Sequence, residues 1–332
     1  MVVIGILIAL QLNNRSEERK QRELAVATFE GVQKEIEENV QKVISNMQYA
    51  HNRNRNLRYF LCGDPNEEDL QKYWRNMVMV TASSPSSSLS SELLDEAIKN
   101  SPNLPDTYES TVNQLKELSN IQVKLERVQE SLFNHSVSNT EMIFKNNPWM
   151  NDQFRFDFES THKETALNYL RTNPEHKAMM SQNLIGISVY SKYLSNYRSK
   201  ALDILSEMNE LNSTPAFDQK KFIIQEQRSI AGTYKVFEYS PDSTEIKWQK
   251  GVHIIERDTL SGRLYSYTNR NSQNDSLYLE NVKREIVYLD NNFYYFEFWE
   301  HFYAKMDPEE NKDTLTYRNL CTDNPYIKVR IK

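Results

Sequence analysis

The spacing of apolar residues changes once along this chain, near Arg228, and the change separates two kinds of structure. Before it, Phe29, Val32, Ile36, Val40, Val43, Met47 and Ala50 recur at steps of three and four, the period that gathers side chains on one face of a helix. The pattern reaches Leu57 and Leu61, and Gly63-Asp64-Pro65 ends it. It returns in Tyr108, Val112, Leu115, Leu118, Ile121, Leu125, Val128 and Leu132, after Asp106 and Glu109 in the spacing of a capping box. A third stripe runs through Ile187, Tyr190, Leu194, Tyr197, Ala201, Leu205, Met208 and Leu211 and stops at Asn212-Ser213-Thr214-Pro215. Three long amphipathic helices, none apolar all round, predict an antiparallel bundle or stalk over residues 14–215. The same spacing suits a coiled coil between chains, so self-association as a homo-oligomer remains an alternative. Shorter helices are expected at about 67–80 and 90–100, with the serines of Ser83–Ser88 as a connector.

After Arg228 short runs rich in Tyr, Val, Ile, Phe and Thr alternate with turn residues. The runs are Thr233–Tyr239, Glu245–Gln249, Val252–Arg257, Arg263–Thr268, Leu277–Asn281, Glu285–Leu289, Phe293–Tyr303, Thr314–Tyr317 and Ile327–Ile331. Turns are expected at Lys250-Gly251 and Leu260-Ser261-Gly262, among others. The pattern predicts an antiparallel β-rich domain over 228–332, a meander closed as a small barrel or folded as a sandwich. Alternation puts Phe296, Phe298 and Phe302 on one side of the long run, and Tyr295, Trp299, His301 and Tyr303 on the other. With both faces aromatic, the second set is the candidate interaction face. Ala231-Gly232-Thr233-Tyr234 resembles the Gly-x-aromatic opening of lipocalin-like barrels, which would imply binding of a small molecule or lipid.

Composition agrees with long helices. Only 7 of the 332 residues are Gly, so few positions can require a positive φ. The hydrophobic share is 39%, below the globular norm of about 45–50%, as suits helices with one buried stripe. The net charge of −6 gives no reason to expect nucleic-acid binding. The two cysteines, Cys62 and Cys321, cannot form a CxxC pair or a metal framework. Free thiols are the expectation, one disulfide the alternative.

Residues 1–12 hold one polar side chain, Gln11, and no charge. As a helix this run covers about 18 Å, against roughly 30 Å of bilayer hydrocarbon. A signal peptide needs a basic start and a small-residue cleavage site, and neither is present. A buried soluble element and a partial transmembrane helix remain, and the second is the expectation. Val2, Val3, Ile4, Ile6, Leu7, Ile8 and Leu10 would then form the membrane anchor. The stretch Val2–Asn14 followed by Ser16-Glu17-Glu18-Arg19-Lys20 resembles the signature of an uncharacterised Gram-negative bacterial family, VVIGILIALQxNNWNEERK. Arg15-Ser16 stand where that family has Trp-Asn, and its Gly-Glu-Ile-x-Leu lead-in is absent, so the chain reads as a late-starting form. The resemblance covers about 19 residues. It implies one inner-membrane span, a soluble part on the periplasmic side, and no known activity.

No motif for chemistry stands out. The histidines at 51, 135, 162, 176, 253 and 301 have no metal-ligand spacing. Asp307, Glu309, Asn311 and Asp313 alternate like a calcium loop, but Lys312 and Arg318 occupy its Gly and Glu positions. His51-Asn52-Arg53-Asn54-Arg55, with Arg58 and Tyr59, reads as a solvated basic helix face. No GxSxG, P-loop or GxGxxG occurs. The expectation is therefore an α+β protein with a partial span over 1–13, no cofactor and no enzymatic activity. Its partners would be the lipid bilayer and an envelope protein or a second copy.

Overall fold

A computed structural model describes residues 2–63, 66, 68, 85, 88–148, 163–212, 231–239, 246–259, 262–269, 284–289, 292–295, 314–317 and 326–330. The protein is α+β, with helices first and an antiparallel sheet after them. Five α-helices are described: α1 Val2–Cys62, α2 Glu92–Lys99, α3 Glu109–Asn146, α4 Lys163–Thr172 and α5 Pro174–Asn212. The expected stripes form the buried faces of α1, α3 and α5, where Phe29, Ile36, Met47, Leu115, Tyr190 and Tyr197 are fully enclosed, although Leu211 at the end of the third stripe is exposed. Asn173 supplies the N-cap of α5, its Oδ1 accepting from the His176 N–H at 2.9 Å, and Pro174 follows at the first helical position. The capping box expected at Asp106 and Glu109 does not form. Asp106 instead opens a 3-10 turn, Asp106–Tyr108, that leads straight into α3. The helix expected at 67–80 lies outside the described residues.

The chain divides into two compact units, and the division falls within α1, α3 and α5. The first unit comprises Met1–Ser45, Ser87–Lys124 and Asn196–Phe222. There Phe29 stacks on Tyr108 with ring centroids 4.7 Å apart. The Glu35 carboxylate accepts from the backbone N–H groups of Leu93 and Leu94 and from Ser90 Oγ, so a side chain of α1 caps the N-terminus of α2. Asn39 exchanges two hydrogen bonds with the Ser90 backbone and donates a third to the Tyr197 hydroxyl. Thr111 and Gln114 of α3 donate to Glu207 of α5.

The second unit comprises Asn46–Ser86, Leu125–Ser195 and Ile223–Lys332. In it Leu57, Phe60, Ile143, Tyr169, Leu170, Met179, Met180 and Leu184 form one apolar cluster. Leu132 of α3 sits over Gly186 of α5, where an added Cβ would meet Leu132 Cδ2 at 2.6 Å. Further on, Asn146 donates to Glu175. Later residues of α3 thus meet earlier residues of α5. Within this unit α3 therefore runs antiparallel to α5, the sense expected of an antiparallel bundle. In the first unit Ser90 is back at the level of Asn39, and Tyr108 at Phe29, before α3 begins.

Seven strands, β1 Gly232–Tyr239, β2 Ile246–Arg257, β3 Leu264–Asn269, β4 Arg284–Leu289, β5 Asn292–Tyr295, β6 Thr314–Tyr317 and β7 Tyr326–Arg330, form one antiparallel sheet in the order β5-β4-β3-β2-β1-β7-β6. Five strands run as the expected meander, and the β6–β7 hairpin adds to the far side of β1. The turn expected at Lys250-Gly251 is instead a bulge inside β2. Lys235 faces Val252 and Phe237 faces Gln249, so the pair Lys250-Gly251 opposes Val236 alone. The expected turn after β2 is present: Gly262 has φ 71°, and its N–H donates to the Asp258 carbonyl at 2.8 Å. The run expected at Leu277–Asn281 lies outside the described residues.

Candidate functional site

Two stretches of α1 stand apart from ordinary packing. The first is its beginning. From Leu10 to Leu24 every residue is exposed, and burial on one face starts only at Ala25. Leu10 and Leu12 are 53% and 62% exposed although they end an apolar run. Between Leu12 and Leu24 there is no apolar side chain, so nothing in this stretch can drive packing against another helix. What holds it helical is propagation from the packed part of α1 and local pairs such as Arg19–Glu23, at 2.8 Å. Among the described residues no helix is long and apolar enough to cross a membrane. Val2, Val3, Ile4, Ile6, Leu7 and Ile8 share the first turns of α1 with Leu10; the surroundings of their side chains lie outside the described residues.

The second stretch corrects the expectation of a solvated basic face at 51–59. His51, Arg53, Asn54 and Arg58 are buried, and only Arg55 is fully exposed. Helical geometry explains this, because positions 50, 53, 54, 57 and 58 turn to the same side as the buried Met47. Arg53 donates from Nη1 to the Tyr49 hydroxyl at 2.6 Å and from Nη2 to Asn183 Oδ1 at 3.1 Å. Arg58 donates from Nε to Asn54 Oδ1 at 2.7 Å, and Asn54 donates onward to Ser188 Oγ at 3.1 Å. Burial pulls the Arg53 guanidinium pKa below its ordinary value, partly opposed by Tyr49. Burial also raises the Tyr190 hydroxyl. His176, packed beside the Tyr169 ring, is pushed down to about 4 by burial alone.

This seam is a set of geometric fasteners. Amide, hydroxyl and guanidinium partners must meet in one register of α1 against α5, since any slip strands buried polar groups. Among the described residues no three His, Cys, Asp or Glu side chains are placed to hold a metal ion. The sequence signal was present but ambiguous: polar residues on the buried side of a helix look like polar residues on the wet side until the partner helix is known.

Tyr295 of the candidate interaction face ends β5, paired with Ile286 of β4. Trp299, His301 and Tyr303 lie outside the described residues, as do Asp307, Glu309, Asn311 and Asp313. Cys62, at the end of α1, is disulfide-bonded, against the expectation of a free thiol. Cys321 is the only other cysteine in the chain, and it falls between β6 and β7 in the same unit.

No protein-family model matches the chain, and a search of curated proteins finds no match. The resemblance over residues 2–20 therefore rests on those residues.

Proposed function

We propose that this chain is a single-pass, membrane-anchored envelope protein whose folded part serves as a non-enzymatic scaffold or partner-binding module on the periplasmic side. One observation carries this reading: α1 continues without a break from an apolar run at 2–12, through an exposed polar stretch, into the packed helices. A helix whose first dozen residues are nearly all apolar gains by burying them, at about 0.8 kcal/mol per CH2 group, and lipid is the medium that accepts such a surface. The disulfide at Cys62 supports an oxidising compartment. Fractionation of native cells tests the anchor. The full chain is expected to sediment with membranes and stay there after an alkaline wash, and Ile4→Glu with Ile8→Glu is expected to release it. Full-length protein in the high-speed supernatant would defeat the proposal.

A second reading is a lipocalin-like β-barrel for a small molecule or lipid. It is supported by the fully antiparallel order and by burial on both faces of the sheet at 263–266 and 285–287. Saturable quenching of the tryptophan fluorescence by a fluorescent fatty acid would favour it; no change across the titration would remove it.

A further inference from the structure

We infer that Arg15 and Arg22 form a binding surface for the phosphates of anionic phospholipid headgroups, an assignment that rests on the membrane reading above. The two residues are seven apart on α1 and so share one face of the helix. Arg19 lies between them on that face but is engaged, its Nε donating to Glu23 Oε1 at 2.8 Å. Lys20 is 4.0 Å from Glu17. Neither Arg15 nor Arg22 has an ion-pair partner among the described residues, and both are exposed. Glu18, three residues after Arg15 and four before Arg22, is the nearest acid on that side and weakens the local field without closing a pair with either.

Their position favours lipid over water. Arg15 follows the last apolar residue, Leu12, by about 4.5 Å along the axis, and Arg22 by about 15 Å. Cα–Cβ bonds in a helix tilt toward its N-terminus, so both side chains lean back toward the apolar end. A guanidinium matches a phosphate with two parallel donors, whereas an exposed helix in water gains little from an unpaired arginine. The stretch 10–24 is therefore shaped for the boundary layer: apolar at its start, cationic on one face above it, and exposed along its whole length.

The test is flotation of the full-length protein with vesicles of phosphatidylcholine alone, or of phosphatidylcholine with phosphatidylglycerol, at low and high salt. Phosphatidylglycerol is expected to raise the bound-to-free ratio at low salt, and salt to erase the gain. Each arginine near an anionic surface is worth about 1 kcal/mol, roughly fivefold, so Arg15→Gln with Arg22→Gln should cut the gain by about 25-fold. Binding to phosphatidylcholine alone should not change, and Arg55→Gln, an exposed arginine elsewhere on α1, should behave as wild type. Equal flotation with both lipids, or a double variant that keeps the full gain, overturns the inference and leaves the anchor intact. Flotation with neither lipid overturns both.

Discussion

The two compact units are built partly from the same three helices, yet α1 buries a different kind of face in each. In the first, the enclosed face of α1 is Ala25, Phe29, Val32, Ile36, Val40 and Val43, interrupted by the cap and clamp residues Glu35 and Asn39. In the second, α1 buries Asn46, His51, Arg53, Asn54 and Arg58 beside Met47, Ala50 and Leu57, with Arg53 and Asn54 bonded to Asn183 and Ser188 of α5. An apolar interior gains most of its free energy from area removed from water and tolerates small shifts. A polar one gains little net energy from each hydrogen bond but loses heavily when a partner is missing, so it tolerates almost no slip. One helix thus serves adhesion in one unit and registration in the other.

The largest effect that would sharpen this contrast is expected in the apolar unit. Phe29→Ala removes a fully buried ring and its stack on Tyr108, and should cost about 3–5 kcal/mol in urea unfolding of the full chain. Loss of amide-exchange protection centred on 29–43 would locate the damage. In the second unit, Cys62→Ser should cost about 2–5 kcal/mol and make the melting temperature insensitive to reductant; a wild-type melt already indifferent to reductant would contradict the disulfide.

Acid should separate the units next. The folded His176 pKa of about 4 lies below the ordinary 6.5, so the unfolded chain takes up this proton first as pH falls. Stability from this residue is whole above about pH 6.5 and declines to about pH 4, by about 3 kcal/mol in total. Exchange at 176–194 should rise in that window before exchange at 29–43, and His176→Leu should flatten the slope. A smaller loss, about 2 kcal/mol, is expected for Asn54→Leu, which takes the acceptor from Arg58 and the donor from Ser188. The smallest is Leu24→Gln, 56% exposed, which should change unfolding free energy by less than about 0.5 kcal/mol. A large loss there would mean that a surface read as open is covered.

Much of the fold was legible because period alone decides it. The stripes of α1, α3 and α5 and the strands β1, β4 and β6 lie within a residue or two of where alternation and helical spacing put them. Three things were not. The return of the chain to α1 at Ser90 and Tyr108 depends on long-range contacts that no local pattern records. The burial of Arg53 and Arg58 depends on Asn183 and Ser188, more than a hundred residues away. The continuity of β2 through Lys250-Gly251 depends on a bulge, and a bulge and a turn draw on the same residue types. The candidate site divides likewise: the apolar opening of α1 is plain in the sequence, while the polar seam is visible only once α5 is beside it.

The carboxylate that α1 lends to α2 bears on how α2 comes to be helical. Eight residues are too few to hold a helix in water, and the two amides that Glu35 satisfies belong to the turn where nucleation would have to begin. A peptide spanning 88–100 should therefore be a random chain in isolation. Within the protein this segment takes up its helix where α1 supplies the acceptor that its own first turn lacks.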